Sequence, residues 1–138
     1  MKIIVMDGQG GGIGGTVIKG LREAFGNDLE ILALGTNSIA TSRMMKAGAN
    51  RGGTGENAIV QTCRKATLII GPLSILVANA MMGEVTPKMA AAVGSSEAKK
   101  IFIPLTQENV VVVGMSAEPL PHLVGQAVDI IRGMIDNV

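Results

Sequence analysis

Six of the eight positions from Gly8 to Gly15 are glycine, and the run lies between an apolar stretch and a helix-spaced one. Ile3, Ile4, Val5 and Met6 read as a strand, and Thr16 to Phe25 carries apolar residues at helical spacing. Glycine buries almost nothing and loses more conformational freedom on folding than any other residue, so packing does not account for the run. What it provides is a tight turn whose backbone N–H groups another molecule can approach. Gly10, Gly12 and Gly15 fit G-x-G-x-x-G in the strand–turn–helix context that the motif requires. A helix start adds free N–H donors and the positive end of the dipole, so the expected guest is a phosphate or other anion. Asp7, Gly8, Gly10, Gly11, Gly12, Ile13 and Gly15 are the residues placed to meet it. The motif indicates a ligand class and no reaction.

The length of 138 residues suits one domain spanning 1–138, too small for a nucleotide domain plus a separate substrate domain. With 47% apolar and 17% charged residues, and neither Trp nor Tyr, the core is expected to be aliphatic, with nine Met as adaptable filler. The net charge of +1 and the lack of a Lys/Arg block give no footprint for nucleic acid. Cys63 is the single cysteine, which rules out an internal disulfide. The first residues run as a strand directly into the glycine loop, so no signal peptide is expected and the cytoplasm is the default location. Ala66 to Gly83 is uncharged, but Gly71-Pro72 interrupts it. A strand (Thr67 to Ile70), a turn and a buried helix (Leu73 to Met82) explain it without a membrane.

The remaining chain alternates strand and helix signals. Leu29 to Leu34 is expected as the second strand, and Ser38 as the N-cap of a helix from Ile39 to Ala47 closed by Gly48. A second glycine turn spans Asn50 to Asn57 and opens a helix from Ala58 to Lys65. Thr86-Pro87 starts another helix, which runs to Val93. Lys100 to Pro104 is a strand, and Val110 to Val113 is expected to return beside it as an antiparallel edge hairpin. Leu120 to Ile135 closes the chain as a helix. The alternation implies an α/β, three-layer, Rossmann-like domain with a mostly parallel sheet.

Ligands in such sheets sit beyond the carboxyl ends of the strands, where strand order reverses. Asp7 to Gly15, Gly35 to Ser38 and Gly71 to Ser74 are expected to converge there, with Gly71 and Pro72 in the wall, and the turn holding Arg51 beside them. A P-loop is disfavoured. Gly15 stands where G-x-x-x-x-G-K-[ST] needs lysine, and Lys19 lies a turn further on. A dinucleotide site usually places an acid after the second strand, but this chain has Thr36, Asn37 and Ser38, with Arg43 and Lys46 beyond. Hydroxyls and a cation favour NADP over NAD there. The alternative is that Thr36 to Ser38 cap a helix while the cations face water.

Other chemistry-bearing residues give weaker signals. Asp7 suits a turn-orienting role better than a metal or base role. His122, beside two prolines, has no identifiable partner, and the neighbours Arg64 and Lys65 point away from Cys63 on a helix. Glu84 and Glu56 could each serve as a base or as an ordinary helix-start acid. No metal cluster or catalytic triad is evident.

At the Asp-Gly-Gln-Gly-Gly-Gly-Ile-Gly loop, Gly-Glu-Val-Thr-Pro (83 to 87) and the Lys100 to Leu105 strand, the chain resembles a family of short, uncharacterised bacterial proteins. The resemblance implies a Rossmann-like fold and no substrate. The first third of the chain is also similar, more loosely, to NAD(P)-binding domains. Two function classes follow: a small module binding NADP, NAD or another phosphate-bearing metabolite, as a sensor or accessory subunit, or a minimal enzyme acting on a phosphorylated metabolite in the same crevice. A purely structural protein ranks last. The pairs Met44-Met45 and Met81-Met82 cannot both face one core, so a homodimer covering the outward member of each is expected.

Overall fold

Ile3, Val5 and Met6 are fully buried and Ile4 nearly so, which requires the first strand to be covered on both faces. The computed structural model describes residues 1–105 and 108–136. In it, strand β1 (Lys2–Asp7) leads into helix α1 (Gly12–Phe25), then β2 (Glu30–Gly35), α2 (Ser38–Ala47), β3 (Arg51–Thr54) and α3 (Glu56–Cys63). β4 (Leu68–Pro72), α4 (Pro87–Ser95), β5 (Lys99–Ile103) and α5 (Leu120–Asp136) complete it. The five strands form one sheet in the order β3-β2-β1-β4-β5, and every pairing is parallel. β1 is central. Its register sets Ile3 beside Ile31 and Asp7 beside Gly35 on one edge, and Ile4 beside Ile69 on the other.

The strands' alternation builds two cores. Ile3, Val5, Ile31, Ala33, Ile70 and Ile101 face α1, α2 and α5, where Ile18, Leu21, Met44, Val124 and Ile131 meet them. Ile4, Met6, Leu34 and Ile69 face α3 and α4, against Ile59, Met89 and Val93. Each such fully buried side chain contributes about 1.5–3 kcal/mol relative to exposure. The layers are therefore helix, sheet, helix, as the apolar runs imply.

Four local expectations need correction. Arg51–Thr54, read as a glycine turn, is edge strand β3; Gly52 and Gly53 hide its strand pattern because Thr41, Met45, Ala58 and Leu34 leave no room for larger residues. Leu73 to Met82 is not a helix: a single 3₁₀ turn covers Leu73–Leu76, and the chain then coils through left-handed backbone. Val110 to Val113 forms no strand. Pro104, which has no N–H, ends the β5 ladder, and Val111 (88% exposed) and Val113 (95%) face solvent. The N-cap of α2 is Asn37 and not Ser38, since the Asn37 side chain accepts from Ala40 N. The Thr86-Pro87 start of α4 is as expected, with Thr86 Oγ1 accepting from Met89 N. Among the described residues, no helix is long and apolar enough to cross a membrane.

Candidate functional site

Strand order reverses between β2 and β4 on the two sides of β1, so the switch point lies at Asp7, where the glycine loop begins. The loop is secured from beneath. Asp7 is buried, its Oδ1 accepting from Gly8 N and its Oδ2 from Gly14 N, both at 2.7 Å. Burial pushes the Asp7 carboxyl above its ordinary value of 3.8, against the N–H groups of Gly14, Gly8 and Ile13 and the charge of Arg43. Asp7 is thus the turn-orienting residue, already committed to the backbone.

A second carboxylate secures the loop from the side. Glu84 Oε1 accepts from Gln9 N (2.9 Å), Thr36 Oγ1 (2.8 Å) and Asn37 Nδ2 (2.7 Å). Burial draws its pKa upward, but these three donors outweigh it and hold the carboxyl below its ordinary 4.5. Thr36 and Asn37 therefore serve Glu84, and Ser38 is an exposed first residue of α2. An acid does stand at the end of β2, though it comes from a distant loop. No local pattern could have shown it.

The glycines divide by what surrounds them. A Cβ on Gly8 would run into the Met81 sulfur and the Thr36 hydroxyl. Gly11 has φ +73° and would place a Cβ 2.9 Å from the Ala40 backbone; on Gly14 a Cβ would meet Asp7 and Met44. Gly10 and Gly12 are different. Neither has a positive φ, and the nearest atom to a Cβ on either is Arg43 Nη1, at 3.9 Å. The fold does not need glycine at these two positions. Their N–H groups also have no hydrogen-bond partner among the described residues.

Open space flanks this ridge on both sides. One is a hollow of about 150 Å³ bounded by Gly12, Gly15, Thr16, Lys19, Arg43 and Lys46. The other is a cleft of about 510 Å³ over the switch point, reached by Pro72, Ser74, Met81, Met82 and Leu105. Met81 (φ 57°) and Met82 (φ 56°) hold left-handed backbone, as does Asn79 (φ 67°). Such a conformation costs about 1–3 kcal/mol per non-glycine residue and persists only where its surroundings impose it. Here the Glu84 network and Glu108, whose carboxylate accepts from Met81 N, impose it.

Of the expected residues, the structure thus brings together Asp7, Gly8, Gly10 to Ile13, Gly15, Thr36, Asn37, Arg43 and Pro72 at one end of the sheet. Gly71 lies inside the sheet, where a Cβ would strike the Met6 carbonyl. Arg51 does not join them. It begins β3, pairs in register with Leu32, and reaches Glu30 at 3.9 Å, away from the carboxyl ends. Ser74, at the end of the segment expected to converge here, lines the cleft; Met81 and Met82, expected at a subunit interface, line it too, and Glu108 carries no sequence signal for this place. His122 is exposed on α5, and burial pushes the Cys63 thiol up to about 11, so it is an inert core residue. Glu56 accepts from Thr86 Oγ1 at 2.7 Å and ties α3 to α4.

A central parallel sheet, helices on both faces and a glycine loop at the switch point define a Rossmann-like α/β domain. The chain belongs to DUF3842, a family described as a domain of unknown function, which matches residues 2–136. No curated protein matches it. The crystal structure of a dodecameric FMN-dependent Ubix-like decarboxylase from Escherichia coli O157:H7 is similar over 95% of this chain and 76% of that chain, with 17% identity and a TM-score of 0.48.

Proposed function

We propose that this protein binds a small phosphate-bearing metabolite, its phosphate resting on the Gly10–Gly12 ridge against Arg43. The observation that carries this reading is the pair of glycines that neither φ nor packing requires, facing a guanidinium. A ligand that must approach the backbone closely accounts for them. Lys19 and Lys46 add charge around the adjoining hollow.

A dinucleotide is the second reading. The cluster of Lys19, Arg43 and Lys46 favours NADP over NAD. Against both, Glu84 already fills the end of β2, where a dinucleotide's adenosine ribose docks. The geometry therefore favours a ligand smaller than a dinucleotide. A binding module, as sensor or accessory subunit, is favoured over a minimal enzyme because Asp7 and Glu84 are bound to backbone and neighbouring side chains. Self-association as a homodimer is part of the same reading, on the α2 face: Met44 is buried while Met45 (37% exposed) points outward.

The test is calorimetry with inorganic phosphate, ribose 5-phosphate, AMP, FMN, NAD and NADP. At least one should bind, and Arg43→Ala should weaken every binder by about tenfold, the worth of one charged contact. Equal binding by the variant would reject the ridge as the site.

A further inference from the structure

The cleft above the ridge differs in chemistry from the hollow beside it. Its floor is the glycine backbone, Pro72, Leu105, Met81 and Met82 form the apolar part of its wall, and Gln9, Ser74 and Glu108 form the polar part. A flat ring system would find polarisable sulfur and a proline face, contacts that favour aromatic groups. The volume of about 510 Å³ falls in the range of small-molecule sites.

Ser74 supplies a second, independent observation. It is 5% exposed, lies in the cleft wall at the end of β4, and its side chain makes no hydrogen bond to any described residue. Yet no side-chain polar atom among the described residues is sealed away without a partner, so this hydroxyl is reached from the cleft. A hydroxyl nine-tenths buried and left to the cleft is suited to a polar atom on a ligand.

We propose that the ligand is a mononucleotide-type phosphate ester. Its phosphate lies on the Gly10–Gly12 ridge, its heteroaromatic ring lies among Pro72, Met81 and Met82, and Ser74 bonds a polar atom of that ring. This inference rests on the phosphate reading above and narrows it. The left-handed turn through Met81 and Met82 has a role here, since it sets both residues along the cleft.

The experiment compares AMP and FMN with ribose 5-phosphate and inorganic phosphate on the wild-type chain and on Arg43→Ala, Ser74→Ala and Met82→Ala. At least one ring-bearing monophosphate should bind about tenfold tighter than ribose 5-phosphate. Ser74→Ala should leave the ligand-free melting midpoint nearly unchanged, because the hydroxyl bonds no other group of the described residues, yet weaken the ring-bearing ligand about fivefold and leave ribose 5-phosphate binding unchanged. Met82→Ala, at a 99% exposed residue, should weaken the same ligand without affecting the fold. If all phosphates bind alike and Arg43→Ala releases them all, the phosphate reading stands and the ring assignment falls. If Ser74→Ala and Met82→Ala bind the ring-bearing ligand as the parent does, the ring assignment falls. If nothing in the panel binds, both fall.

Discussion

Glu84 accepts the backbone N–H of Gln9 at 2.9 Å across 75 positions of chain, tying the loop after β4 to the loop after β1. The same oxygen takes Thr36 and Asn37, so one carboxylate closes three connections at the carboxyl end of the sheet. Glu84→Ala should cost about 1–3 kcal/mol, the loss of charge-assisted hydrogen bonds, measured by urea unfolding. The folded pKa is depressed, so this stabilisation is complete above the ordinary 4.5 and lost as pH falls through the lower folded value. The substitution should flatten that acid limb; an unchanged limb would show the network to be unimportant.

Asp7 acts with the opposite sign. Its folded pKa is raised, so the folded chain holds the proton more readily than the unfolded chain. Its contribution to stability therefore declines as pH rises from 3.8 through the raised value. Asp7→Asn removes this dependence but turns an amide NH₂ towards the N–H of Gly8 or Gly14, where an acceptor is needed. The expected result is a loss of about 1–3 kcal/mol at neutral pH. A more stable variant at pH 7 would show that the burial cost outweighs the two bonds.

The glycines should separate under substitution. Gly11→Ala combines a positive φ with a clash against Ala40 backbone and should lower the melting midpoint sharply. Gly10→Ala should be neutral or stabilise by up to about 1 kcal/mol through the unfolded state, and should still abolish ligand-induced stabilisation. Gly12→Val, which fills the phosphate position, should fold and fail to bind. Thermal melts with and without ligand measure both effects, and a Gly12→Val chain that binds normally would remove the ridge from the site.

Self-association is checked by light scattering at micromolar concentration. Outward Met45, with Ile39 at 70% exposure on the same helix, leaves apolar surface that a second copy would cover. A mass near the 14.2 kDa of one chain would overturn the expectation.

Where sequence and structure agree, the information is local. The apolar run, the glycines and the helix spacing from Lys2 to Phe25 lie adjacent, and the same holds for Thr86-Pro87 at the start of α4. The convergence of Asp7, Thr36 and Pro72 follows from parallel strands ending together. β3 was hidden because Gly52 and Gly53 are small to fit Thr41 and Leu34, a tertiary reason that erases the strand's apolar signature. The apolar residues after β4 have helical spacing, whereas Glu84 and Glu108 impose another path on this stretch. Glu84 reaches the site through long-range packing, which periodicity does not encode.

β1 precedes the other four strands along the chain and is the middle strand of the finished sheet. β2 covers one of its edges early, but the other stays open until Leu68–Pro72 has been synthesised. In the interval the nascent chain displays an unpaired apolar strand edge, the kind of surface on which chains aggregate. Translation halted between β3 and β4 therefore yields an adhesive half-sheet rather than a smaller domain, and the earliest-made of the five strands waits for the fourth before both its edges are covered.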